Sequence, residues 1–376
     1  MEGHHTSNPF GGSANLSTTP KHEPTPIPLP LPTLIDIGLL KSTLLPSLTL
    51  NTTLGCVAYT AGRLTNRLDT KDVVWPLAPV LNAWYAAVVR HTPPFTPTED
   101  GGVSLQTAWR VLGGADRLLL GGVTLWGGRL FYRFVTRAWA RGGRDDPRYE
   151  GVKYQRGLAV GGKGVVEGGG FWDWAWLTAY LPEAVVQSVI ALSVTTPFRL
   201  GLGGFGQGRV FGVGGGYAEV VRAVAVGLFS AGFALEVVAD WQLGEFKEKV
   251  ESKGKMCREG VWGVVRHPNY LGDALVHFSF PLFLFANNML APVALLGPLA
   301  NYLFLRCVGG DKQTEESQTR RYSAEDVAKK VDFDRYRHER NSFWPDASQV
   351  HNKWAWAIVG CGVAGALADM VIRALF

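Results

Sequence analysis

Apolar and polar residues separate into blocks along this chain. Apolar runs cover about 34–62, 73–89, 111–135, 174–196, 217–241, 270–286, 288–307 and 354–375. Crossing the hydrocarbon core of a bilayer takes about 20 mostly apolar residues. The pattern therefore predicts an all-α, polytopic transmembrane bundle of about seven helices, with an extra C-terminal helix at 348–376. The first run is interrupted by Lys41, Pro46 and Asn51. It reads either as one helix or as an interfacial helix followed by a span. Residues 1–32 end in PTPIPLPLP and bury too little apolar surface to fold, so a disordered lead is expected before a transmembrane domain at 33–347. The segment 311–347 is polar and is expected to fold back on the cytoplasmic face.

Composition agrees with the pattern. The 376 residues are 47% hydrophobic and 18% charged, against about 25% charged in soluble domains. Lys and Arg gather at 136–158, 242–266 and 306–353 and are sparse at 90–108 and 197–216. The three basic segments lie an even number of spans apart, so one side of the membrane holds them all, and the positive-inside tendency makes it cytoplasmic. The net charge of +5 gives no reason to expect a nucleic-acid partner. The opening MEGHHTSNPF lacks a basic start and an apolar core, so an internal helix is expected to direct insertion. Cys56, Cys257, Cys307 and Cys361 form no CxxC pair and read as small buried residues rather than disulfides or zinc ligands. The glycine-rich stretches at 161–170 and 201–216 lack the strand and helix that a phosphate loop needs, and read as loops between spans.

Four segments concentrate polar chemistry. In FALEVVADWQLGEFKEK, Glu236 and Asp240 are four apart and share a helix face, with Lys247 close to two turns further on. Acids at the end of an apolar span are costly unless they face the bundle interior or water. In VVRHPNYLGD, Pro268 suits the first helical turn, His267 falls near the N-cap, and Asn269 and Asp273 are again spaced i, i+4. A helix N-terminus beside Arg266 suits an anion. Asp273 suits instead the amide or hydroxyl groups of a ligand. A nicotinamide dinucleotide combines both demands. His267 has no metal partner at ligand spacing. In LWGGRLFYRFVTRAWA, Arg129, Arg133 and Arg137 form a basic stripe, and Trp126, Arg129 and Tyr132 read as one face. In DRYRHERNSFWPD, Tyr336 and Arg340 are four apart, and an arginine there suits a phosphate.

Together these segments resemble the membrane reductase family that contains steroid 5-alpha-reductase, most closely its branch of unknown function. The resemblance runs from about Asp72 to Pro345. It rests on DVVWP from Asp72, LWGGRL with DPRY behind it, EVVADWQLGEFK from Glu236, RHPNYLGD, and YRHERNSFWP from Tyr336. It implies a seven-helix bundle in the endoplasmic reticulum that encloses NADPH near the cytoplasmic side and passes a hydride to the C=C bond of a steroid or other lipid enone. By resemblance, Asn269 and Asp273 hold the nicotinamide end, Glu236 and Asp240 line the same polar cleft, and Lys247 and Arg340 meet the phosphates. Arg266, His267, Tyr270 and Tyr336 complete the cofactor-binding set. The catalytic tyrosine of the steroid reductases falls at Trp126, and an indole cannot serve as that acid. Tyr132 is the substitute catalytic residue offered by the sequence. Two other readings carry weight: a membrane methyltransferase using S-adenosylmethionine, through RHP-x-Y and the acidic pair Glu315-Glu316, and a non-catalytic lipid-binding protein on the same fold.

Overall fold

The computed structural model describes residues 37–90, 109–110, 112–149, 151–153, 169–199, 210–252, 254–325 and 327–375. The expected lead at 1–32, the loop at 91–108 and the glycine-rich 161–168 and 201–209 lie outside these residues. Each apolar run contains a helix among its described residues. In chain order the helices are α1 (Ile37–Thr65), α2 (Thr70–Val74), α3 (Leu77–Arg90), α4 (Gly114–Ala140), α5 (Gly169–Ala175), α6 (Leu181–Ile190), α7 (Leu192–Thr195), α8 (Gly216–Glu248), α9 (Pro268–Ala286), α10 (Leu296–Cys307), α11 (Asp311–Glu325), α12 (Val327–Glu339) and α13 (Lys353–Leu375). A π-helical turn, Trp176–Tyr180, joins α5 to α6. No strand forms among the described residues, so the chain is an all-α bundle.

Among the described residues, three helices are long and apolar enough to cross a membrane, and the bent pair Gly170–Ile190 and Leu192–Arg199 makes a fourth if it forms one span. These make the chain an integral membrane protein. The other expected spans are helical among the described residues but fall short of this length and apolarity. The cause is polarity and length: α1 carries Lys41 and Asn51, α4 carries its arginine stripe, and α3 has only 14 residues. α1 runs unbroken through Pro46 as one helix. Helical proline is tolerated in membranes where neighbouring groups take up the freed backbone.

Glycines set the closest helix approaches. A Cβ on Gly232 of α8 would lie 2.7 Å from the Gly272 carbonyl oxygen of α9, and one on Gly272 would lie 2.6 Å from that of Gly232. Only hydrogen fits at either position. This crossing brings Glu236, one turn beyond Gly232, beside Asp273. α13 docks on α8 in the same way: a Cβ on Gly362 would lie 2.8 Å from the Gly227 carbonyl oxygen. One end of that seam is locked by ion pairs, with Arg222 donating to both oxygens of Asp369 at 2.8 Å and Arg373 contacting Glu219 at 2.7 Å.

Two apolar clusters flank the α8–α9 crossing. One joins Leu120, Val123 and Trp126 of α4 to Val276, Phe280 and Leu284 of α9. The other packs Leu235, Ala239, Leu271 and Ala274 against Val261, Val265 and Phe343. The four thiols are free, but burial was the wrong expectation for three of them. Cys56, Cys307 and Cys361 are exposed on helix surfaces, the face a lipid tail can cover.

Candidate functional site

Polar faces of α4, α8, α9, α11 and α12 converge on one cavity of about 770 Å³. Periodicity supplies two of its walls. Glu236, Asp240, Leu243 and Lys247 line it from one face of α8, and Arg129, Arg133 and Arg137 line it from one face of α4. The polar segment after α10 folds back as α11 and α12, as expected, and closes the cavity with Thr314, Gln318, Arg321 and Tyr336.

One end is acidic. Glu236 is buried, and its carboxylate accepts from the Trp126 indole N–H at 3.1 Å and from Arg129 at 3.0 Å. Arg129 also donates to the Glu236 carbonyl at 3.0 Å and to Asp240. The Arg133 Nε lies 3.3 Å from Asp240. The same knot fixes Trp126, which is fully buried. It orients Glu236 rather than facing the cavity. Asp273 closes this end from α9, 3.4 Å from the ring of His277.

The N-terminus of α9 forms the adjoining wall. Pro268 occupies its first turn and His267 its N-cap position, but the imidazole caps nothing. Its Nε2 lies 2.9 Å from Glu315 of α11. Arg266 donates to the same carboxylate oxygen through Nε at 2.9 Å and Nη2 at 2.8 Å. Burial pushes the Glu315 carboxyl up, and the hydrogen bonds and charges of His267 and Arg266 overcome this and hold it at about 2. The Arg266 and His267 backbone N–H groups donate to the carbonyls of Asn341 and Ser342. Tyr270 stacks on His267 and bonds Thr314 at 3.0 Å. The Tyr336 hydroxyl donates to the Trp262 carbonyl. RHPNY and YRHERNSFWP are thus one unit, with α11 latched to it through Glu315.

The opposite wall was not assigned from sequence. Tyr149 donates to Asp72, and Arg148 bridges Asp72 at 2.6 Å and Asp146 at 3.0 Å. Burial raises the Asp146 carboxyl, and the charge and hydrogen bonds of Arg148 more than reverse that, leaving it well below the usual carboxylate range. Lys71 pairs with Glu183. Glu183, alone in LPEAVV within an apolar run, was the overlooked signal, because a carboxylate there needs a buried partner.

Nine of the expected positions line the cavity: Glu236, Asp240, Lys247, Arg266, His267, Asn269, Tyr270, Asp273 and Tyr336. Two do not. Arg340 lies outside, where its carbonyl accepts from Arg266 and its guanidinium donates to the Glu339 carbonyl at 3.1 Å. Tyr132 is 70% exposed. Six helical positions turn it about 240° from Trp126, so these two residues do not share a face.

Eleven Lys and Arg side chains against six Asp and Glu line the cavity, so its field favours an anion. Lys247, Lys255 and Arg321 have no carboxylate partner among the described residues. Nor do those residues hold a group of three or more His, Cys, Asp or Glu that could bind a metal ion.

The site is a cationic, acid-ended cavity at the polar mouth of a membrane helix bundle. Residues 58–338 match the family described as proteins of unknown function, DUF1295, and the chain belongs to that family. No curated protein and no solved structure matches it.

Proposed function

We propose that the cavity binds NADPH and that the protein reduces a C=C bond of a steroid-like or other lipid enone. The observation that carries this reading is a cofactor-sized space with unpaired cations on one wall and an amide and carboxylates at its buried end. Lys247, Lys255 and Arg321 suit the phosphates. Asn269 and Asp273 suit the nicotinamide end. Buried polar atoms without a hydrogen bond fit an incoming polar ligand: Nε of Arg321 and Oδ1 of Asp273. When bound, NADPH would supply the hydride. The chain's part is to orient it with Asn269 and to balance its phosphate charge. The apolar residues Trp75, Leu130, Phe134 and Phe246 on the same cavity suit a lipid substrate.

Thermal unfolding of the detergent-purified protein tests this. NADPH should raise the midpoint, Asn269→Ala and Lys247→Ala should shrink the rise, and Tyr132→Phe should leave it unchanged. Stabilisation by S-adenosylmethionine with no response to NADPH would select the methyltransferase reading instead. A response to neither would leave a lipid-binding role.

A further inference from the structure

Reduction of a C=C bond needs a proton as well as a hydride, and Trp126 stands where the steroid reductases carry a tyrosine acid. The acidic end of the cavity contains an alternative. Three carboxyl groups meet there, Glu236, Asp240 and Asp273, but only two guanidinium groups, Arg129 and Arg133. Arg129 is spent on Glu236 and Asp240, and Arg133 on Asp240. Asp273 has no cation. The next arginines are committed elsewhere, Arg266 to Glu315 and Arg306 to Asp311. Its neighbours are His277 on α9, with Nε2 3.4 Å from Oδ1, and Asn301 on α10. α7, which also packs against α9, carries no charged residue. Asp273 and His277 are both buried, and the Asp273 Oδ1 and both imidazole nitrogens have no hydrogen-bond partner. The imidazole is otherwise enclosed by rings, Trp126 at 4.9 Å and Phe280 at 5.7 Å. An isolated carboxylate in such a place, beside Glu236 across the α8–α9 crossing, is strongly disfavoured.

We propose that Asp273 and His277 share one dissociable proton and that Asp273, which lines the cavity, delivers it to the substrate. Asp273 is the catalytic acid, and His277 is a positioning residue that acts through it. The idea rests on the reductase reading for its hydride. As hydride adds to one carbon of the double bond, the π pair forms a C–H bond at the other carbon with the proton leaving Asp273. The carboxylate so formed is reprotonated from cavity water. The sequence held a signal for this pair, an aspartate and a histidine four apart inside an apolar run.

Infrared spectroscopy reads the proton without a substrate. At neutral pH the protein should show a protonated-carboxyl C=O stretch that moves on transfer to D2O and disappears in Asp273→Asn. His277→Gln should move its frequency and the pH at which it is lost. Absence of the band overturns the proposal, as does its loss in Glu236→Gln but not in Asp273→Asn. A His277→Gln spectrum identical to that of the wild type overturns the sharing. The D2O shift is measured on the unaltered chain, so misfolding of a variant does not hide the answer. NADPH binding is scored separately by thermal shift. A band without NADPH binding defeats the reductase reading while leaving the shared proton in place.

Discussion

Glu315→Ala removes the one carboxylate that latches α11 onto the N-terminus of α9. That carboxylate accepts from Arg266 twice and lies 2.9 Å from the His267 ring, and its other oxygen lies 3.3 Å from Arg337. Its side chain is 12% exposed. Removing one member of a buried ion pair costs about 3–5 kcal/mol, because the partner charge stays buried and unpaired. The pH linkage gives a similar size. A carboxyl held at about 2, against an unfolded value of about 4.3, corresponds to roughly 3 kcal/mol at 1.36 kcal/mol per tenfold change. The sign follows from the depressed value. This stability is fully present above the unfolded value and is lost as pH falls from about 4 toward 2. The assay is thermal unfolding in detergent at a series of pH values. The wild-type midpoint should fall over that acid window more steeply than that of Glu315→Ala, and near pH 7 the variant should melt several degrees lower. Equal midpoints at neutral pH, or parallel acid profiles, would refute the latch.

Two further perturbations probe how the site is held. Gly272→Ala places a methyl group against the Gly232 carbonyl and should cost about 1–3 kcal/mol as overpacking; it should also weaken NADPH binding, because the same crossing sets Glu236 beside Asp273, and a thermal-shift titration reads both effects. Asp369→Ala leaves Arg222 without a carboxylate partner at the α8–α13 seam, where the partners' side chains are 11% and 9% exposed; limited proteolysis should release the C-terminal helix at lower temperature than in the wild type.

The helical fold was legible because membrane helices announce themselves by composition: each of the eight apolar runs contains a helix among its described residues. Most of one site wall was legible for a second reason. Residues spaced i, i+4 and i, i+7, such as Glu236, Asp240 and Lys247, must share a face wherever a helix forms. What the spacing could not show was assembly. Lys71-Asp72, Arg148-Tyr149 and Glu183 are far apart in sequence, and nothing local says that the three segments meet. Arg340 had the right type and spacing for a phosphate contact, but its position just past the end of α12 ties its backbone to Arg266 instead. Tyr132 failed on geometry that the sequence did contain, since six positions do not bring a helix back to the same face. Fewer helices than the expected spans pass a test of length and apolarity alone, because a helix that turns arginines toward a polar cavity, as α4 does, need not be apolar along its length.

Trp75 and Trp262 line the cavity, so bound NADPH would lie close enough to accept energy from their excited indoles. Titration of the detergent-purified protein with NADPH, read as tryptophan quenching with sensitised nicotinamide emission, is the most direct test of the cofactor assignment. The account predicts a saturable signal that weakens with added salt and is lost in a Lys247→Ala, Asn269→Ala double variant. A flat titration, or one that the double variant leaves unchanged, would contradict it.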